Sequence, residues 1–154
     1  MHSRSATPGD AESIASIYNE GIADGIATVE TRPRTADDVR AWFDARFPLV
    51  VVEDGGRVIA FASTSEYRPR GCYAGIAEFA VYVARAERRR GAGRVAMDAL
   101  LEGARRAGFW KLVSRVFVEN AASRALLQRA RVSRGRHVRA SRAVAWGVAG
   151  PGDR

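Results

Sequence analysis

The stretch EFAVYVARAERRRGAGRVAMDALLEGARRAGF, residues 78–109, decides how this chain reads. Its opening alternates with the period of a β-strand: Ala77, Phe79, Val81 and Val83 fall on one face, and Ile76, Glu78, Ala80 and Tyr82 on the other. The period then breaks in a connection rich in arginine and glycine, 84–94. Beyond it Ala96, Leu100, Ala104 and Ala107 recur at helical spacing, and Gly108 suits the residue just past a helix end. The unit is therefore strand 73–83, loop 84–91, helix 92–107. Small residues where such a loop enters a helix let backbone N–H groups approach a phosphate, and the helix dipole favours the negative charge. Arginines add charge-assisted bonds. Neither GxxxxGK[ST] nor GxGxxG occurs, which excludes the Walker A and dinucleotide fingerprints. Residues alone leave two readings open: a pyrophosphate-sized anion site, or a solvated arginine turn.

Working outward, FWKLVSRVFV (109–118) reads as a strand through Trp110, Leu112, Val116 and Val118, and ASRALLQRA (122–130) as a short helix. Upstream, LVVVE (49–53), the turn DGG (54–56) and RVIAFASTSE (57–66) form an antiparallel hairpin. The strand that follows spans 72–83 after the loop YRPRG. Thr7-Pro8-Gly9-Asp10 starts a helix whose apolar stripe is Ile14, Ile17, Tyr18 and Ile22. Thr35 and Asp38 begin a second in capping-box spacing, with Val39, Trp42, Phe43 and Phe47 as its stripe and Pro48 as its end. After Arg131 one ragged strand near 137–148 is expected. The order predicts an α/β (α+β) sandwich, a mixed central sheet flanked by helices, as a single domain over 1–154.

Composition narrows the function classes. The chain has 154 residues and a net charge of +8, carried almost wholly by arginine, since Lys111 is the only lysine. Residues 1–84 hold 8 basic and 12 acidic side chains, whereas residues 85–154 hold 17 and 5. A basic half suits nucleic acid, an anionic cofactor or an acidic partner. Cys72 is the only cysteine, and with His2 and His137 as the only histidines no metal site is expected. No histidine lies near Cys72, so a core thiol is the expectation, not a nucleophile. The longest apolar runs, LVVV and VIAFA, cannot span a membrane, and the N-terminus carries no secretory h-region. A cytoplasmic location is expected.

The stretch 78–109 resembles the acetyl-CoA-binding core of the GNAT N-acetyltransferases, whose Arg/Gln-x-x-Gly-x-Gly/Ala signature stands here as Arg88-Arg89-Arg90-Gly91-Ala92-Gly93. Residues 6–33, YRPRGCYAGIAEFAVYV (67–83) and VENAASRALL (118–127) resemble the phosphinothricin, methionine sulfoximine and arsinothricin N-acetyltransferase branch. The resemblance covers residues 5–130. It implies that Arg88, Arg89, Arg90, Gly91, Ala92 and Gly93, with Arg94, hold the coenzyme's pyrophosphate. Phe79, Ala80, Val81 and Val83 would pair with its pantetheine arm, and Asn120 and Ser123 would contact it. Glu78 matches the glutamate used as general base, and a carboxylate facing the cleft can take the proton that an ammonium must lose. Asn19, Thr28, Glu30, Arg70 and Tyr73 would hold the amino-acid substrate.

The expected activity is acetyl transfer from acetyl-CoA to the primary amine of a small glutamate-like amino acid, giving antibiotic or herbicide resistance. The enzyme would act as a homodimer with neither membrane nor nucleic-acid partner. The alternatives are another amine or a protein N-terminus as acceptor, a basic nucleic-acid- or protein-binding module, and a coenzyme-binding domain without catalysis. The chain departs from the family pattern at both ends. HSRSAT replaces the customary first strand, and 131–154 is an atypical arginine-rich tail, such as a shifted reading frame would produce. A compromised C-terminal substrate wall and exposed sheet edges are expected.

Overall fold

A computed structural model of the chain describes residues 1–24, 32–44, 46–66, 75–117, 133–137 and 143–149. Cys72 and the helix expected at 122–130 lie outside these residues. Seven strands form one sheet: β1 (His2–Ser5), β2 (Leu49–Asp54), β3 (Arg57–Glu66), β4 (Ile76–Val83), β5 (Lys111–Phe117), β6 (Ser133–His137) and β7 (Ala143–Ala149). Their spatial order is β1-β2-β3-β4-β5-β7-β6. Every neighbouring pair is antiparallel except β4 and β5, which run parallel. The helix α3 (Ala92–Arg106) is the crossover that joins them, as a parallel pair requires. The helices α1 (Ala11–Asp24) and α2 (Ala36–Arg40) cover the opposite face. The mixed sheet flanked by helices is thus the fold expected.

The alternation along β4 sorts two cores. Ala77 and Phe79 pack with Val50, Val52, Ala60 and Ala62 beneath Ala92, Ala96, Met97, Leu100 and Ala104 of α3. Tyr82 lies on the other face, against Ile14, Ile17, Tyr18, Val39, Val51 and Phe61. Small residues bring α3 close to the sheet; a Cβ on Gly103 would stand 3.3 Å from Pro48. The helix ends in a Schellman motif, with Gly108 at φ +90°, its N–H on the Arg105 carbonyl and the Phe109 N–H on the Ala104 carbonyl. Phe109 is thereby buried, and β5 starts two residues later.

Four expectations need correction. HSRS does form a strand, because β1 needs no apolar residues to pair with the edge of β2. The second helix stops at Arg40, although Thr35 and Asp38 cap it reciprocally. The chain must cross from one core to the other before β2 begins. Val39, Trp42 and Phe43 stay on the α1 side, whereas Phe47 stacks on Phe109 beside α3, 5.7 Å between ring centres. Strand β4 begins at Ile76, after a turn residue at Gly75 where a Cβ would collide with the Trp110 indole at 1.9 Å. The tail holds two strands instead of one: β7 pairs with β5 along its whole length and β6 covers β7. The edge of β5 is therefore not left bare.

The polar strand β1 is fastened by charge. Arg4 grips the Asp10 carboxylate at two points, each 2.8 Å, and reaches Glu53 of β2 at 2.7 Å. Asp10 also accepts the Thr7 N–H at 2.8 Å, closing the start of α1. Asp10 is only 7% exposed, and the Arg4 hydrogen bonds hold its carboxyl below the usual carboxylate range. A depressed folded-state pKa contributes stability above the unfolded value, near 4, that is lost as pH falls through the folded one. Asp10→Asn is expected to cost about 2 kcal/mol at pH 7. Its stability should also decline less below about pH 4 than that of the parent. Urea melts between about pH 2 and pH 7 measure both.

Candidate active site

The parallel pairing of β4 with β5 lasts three residues only: Ile76 with Lys111, Ala77 with Leu112, and Glu78 with Val113. Beyond Glu78 the two strands part, while each keeps its other neighbour. Residues 79–83 stay paired with β3 as far as Val83–Ala60, and 114–117 stay paired with β7. Within 79–83, alternate residues turn their backbone N–H and C=O away from β3, into the gap. Phe79 fills the α3 core with its side chain, Val81 and Val83 pack against that core, and Ala80 lies on the other face, so this segment offers a ligand its backbone.

At the wide end of the gap stands the N-terminus of α3. Gly91 is its N-cap, in the left-handed region at φ +89°, with no side-chain cap and no acidic residue in the first turn. The first intrahelical bond from this cap runs from the Val95 N–H to the Gly91 carbonyl, so the amides of Ala92 and Gly93 precede the helix's own hydrogen-bond ladder. A Cβ on Gly91 would meet nothing within 4 Å, so this end of the helix is open. Arg89 also has a positive φ, +67°, uncommon for a residue with a side chain.

The arginines of this loop face carboxylates. Arg88 donates to Asp24 at 2.7 Å and to the Val83 carbonyl at 3.4 Å. Arg85 donates to the other Asp24 oxygen at 2.9 Å, and its backbone N–H to Glu20 at 3.0 Å. Arg90 bridges Glu87 and Asp54, the latter at 2.8 Å, and Arg94 pairs with Asp98 one turn on. Asp24 and Asp54 are both held below the usual carboxylate range, the first chiefly by Arg88 and the second by Arg90. Arg89 makes no ion pair or hydrogen bond with any described residue. Sequence reasoning missed Glu20, Asp24 and Asp54. The acidic excess of residues 1–84 beside the basic excess after them was the signal that could have pointed to them.

Glu78 stands at the vertex of the gap, half-buried, on the face opposite α3. Its cross-strand neighbour is Ser65, and Ser63 lies opposite Ala80. Further along this face Tyr82, Phe61, Tyr18 and Trp42 form an aromatic cluster with ring centres 5.2–6.3 Å apart. The face is packed at Tyr82 and partly open at Ile76, Glu78 and Ala80. No described residue forms a hydrogen bond or ion pair with the Glu78 carboxylate. The Asn19 amide holds both backbone groups of Arg34, at 2.9 and 2.7 Å, and the Arg34 guanidinium lies 5.5 Å from the Tyr18 ring centre. Thr28, Glu30, Arg70, Tyr73, Asn120 and Ser123 lie outside the described residues. Among the described residues no group of three or more His, Cys, Asp or Glu could hold a metal ion, and no helix is long and apolar enough to cross a membrane.

Comparison with known proteins fits this geometry. Residues 14–131 match the Acetyltransferase (GNAT) family. The L-methionine sulfoximine/L-methionine sulfone acetyltransferase of Pseudomonas paraeruginosa is 34% identical over 131 residues, spanning 82% of this chain and 76% of that protein. The L-amino acid N-acyltransferase MnaT of Escherichia coli is 32% identical over 127 residues, 80% of this chain and 74% of its own. Among solved structures, yncA from Salmonella typhimurium, determined with its cofactor acetyl-CoA, superposes with a TM-score of 0.87 at 27% identity, covering 96% of this chain and 92% of that one. The strand that splits from its parallel neighbour, the arginine-glycine loop and the open helix N-terminus are those of a protein that belongs to the GNAT acetyltransferase family.

Proposed function

We propose that the protein transfers the acetyl group of acetyl-CoA to the primary amine of a small glutamate-like amino acid, such as methionine sulfoximine, phosphinothricin or arsinothricin. Acetylation removes the amine's positive charge and so would confer resistance to such compounds. The observation that carries the reading is the placement of Glu78 at the vertex of a gap whose mouth is the uncapped N-terminus of α3. Relatives named for methionine sulfoximine and for L-amino acids support the acceptor class.

The residues present fit the coenzyme. Gly91 and the amides of Ala92 and Gly93 offer donors where a pyrophosphate needs them, with no described side chain over Gly91. The backbone of 79–83 offers strand-like partners to the amides of a pantetheine arm. When bound, acetyl-CoA supplies an activated acyl group. The chain then has three tasks. The gap holds donor and acceptor in line, which converts an encounter into a reaction within one complex. A backbone N–H near Val81 polarises the acyl carbonyl. Glu78 accepts a proton, directly or through a water, from an amine that enters mostly as ammonium. The partly open face around Ile76, Glu78 and Ala80 gives the acceptor its approach.

Glu78→Gln keeps the shape and removes the base. We expect kcat to fall by about 10²-fold or more, with the KM for acetyl-CoA little changed. The remaining rate should recover as pH rises and more of the amine is free. Thiol release with each of the three amino acids checks this, and unchanged turnover in the variant would remove Glu78 from the mechanism.

Gly91→Ala tests the loop through its backbone alone, since the added methyl meets open space. A left-handed conformation costs a residue with a Cβ about 1–2 kcal/mol. The variant loop is expected to relax from that shape in the free protein and to be restored on binding, so calorimetry should show coenzyme A binding weakened by up to about 30-fold.

A further inference from the structure

We infer that Asp24 is a positioning residue for the coenzyme: by holding Arg85 and Arg88 on its two carboxylate oxygens, it fixes the loop that leads into α3 in the shape that receives a pyrophosphate. This rests on the reading of that loop as the coenzyme site. Asp24 belongs to α1, an element far from the loop in sequence. A carboxylate beside a basic loop draws cations to both of its oxygens. Two guanidiniums supply them, Arg85 on one oxygen at 2.9 Å and Arg88 on the other at 2.7 Å, with 22% of the side chain exposed.

The contacts around this pair are directional. The Arg85 backbone N–H donates to Glu20 at 3.0 Å, so the loop is tied to α1 by main chain as well as side chain. Arg88 is drawn at the same time to the Val83 carbonyl, where β4 ends. The four residues from Arg85 to Arg88 are thus held at both ends. They are followed at once by the positive-φ residues Arg89 and Gly91 and by the open amides of α3. A basic loop without these ties would sample many shapes, and binding would have to order it first, at a cost in conformational entropy. Asp24 does that ordering before the ligand arrives.

Asp24→Asn keeps the size and removes the charge, and Asp24→Glu keeps the charge. The probes are coenzyme A, whose Kd is read by calorimetry, and S-acetylpantetheine, a donor without pyrophosphate, whose kcat/KM is read by thiol release. We expect Asp24→Asn to weaken coenzyme A binding by about 5- to 10-fold, roughly the ordering of one residue. Asp24→Glu should recover part of the loss, and kcat/KM with S-acetylpantetheine should be unchanged in both variants. Coenzyme A binding that is unchanged or tighter in Asp24→Asn would overturn the inference. An equal loss with both donors would overturn it too, since that is the mark of general damage to the fold. Failure of the parent protein to bind coenzyme A would instead defeat the coenzyme-site reading on which the inference stands.

Discussion

The parting of β4 from β5 after Glu78 is the constraint on which the rest depends. A sheet gains by pairing every backbone group, and a strand that leaves its neighbour midway exposes donors and acceptors that water or a ligand must satisfy. Here the opening is tolerated because neither strand is left single. Strand β3 accompanies β4 to Val83, and β7 accompanies β5 along its length. The crossover helix packs beneath, its alanines letting it lie close to Ala77 and Phe79. What remains is a permanent slot lined by main chain, and the one carboxylate at its vertex sits on the face away from α3.

The second organising force is the meeting of the chain's two charge populations. The arginines at 85, 88, 90, 94, 105 and 106 each lie within ion-pair distance of a carboxylate, some on their own helix and others on α1 or the hairpin turn. Exposed pairs of this kind contribute little to global stability one at a time. Their value is local: they choose among loop shapes, and that choice decides whether the amides at the start of α3 converge. Arg4 works the same way at the edge of the sheet, where Asp10 and Glu53 give a strand without apolar residues its place.

Where a segment's own pattern dictated its structure, the sequence was legible. The alternation of 76–83 sorted its side chains correctly between two cores, and the caps at Thr7, Thr35 and Gly108 stand where their residue types put them. The hairpin turned at Gly55 and Gly56, both with positive φ. Strands made by partners were not legible. β1 is polar and exists because β2 offers an edge, and β6 is SRGRH, of weak strand propensity, so the tail read as one ragged strand near 137–148, where β7 stands with Val144, Trp146 and Val148. The second helix failed for a related reason, because the route of the chain between two cores outweighed its apolar spacing. Around the candidate site the arginine-glycine loop between a strand and a helix was legible, as was the position of Glu78 on the face away from α3. The acids that brace the loop were not, because nothing in a linear sequence says which of twelve carboxylates in the first 84 residues folds against which arginine.

The loop itself shows why those braces are needed. Arg89 adopts a left-handed backbone that a residue with a side chain reaches only at a cost of about 1 kcal/mol, and Gly91 adopts another two residues later. Left alone, such a segment would relax toward ordinary conformations and turn its amides elsewhere. Arg88 on Asp24 fixes the near side of the strained residue, and Arg90 on Glu87 and Asp54 fixes the far side. Arg89 stands between two anchored neighbours and makes no ion pair of its own among the described residues. Strain held in place from both sides sets the path of the chain into α3, and it is this preorganisation that the proposed coenzyme site would draw on.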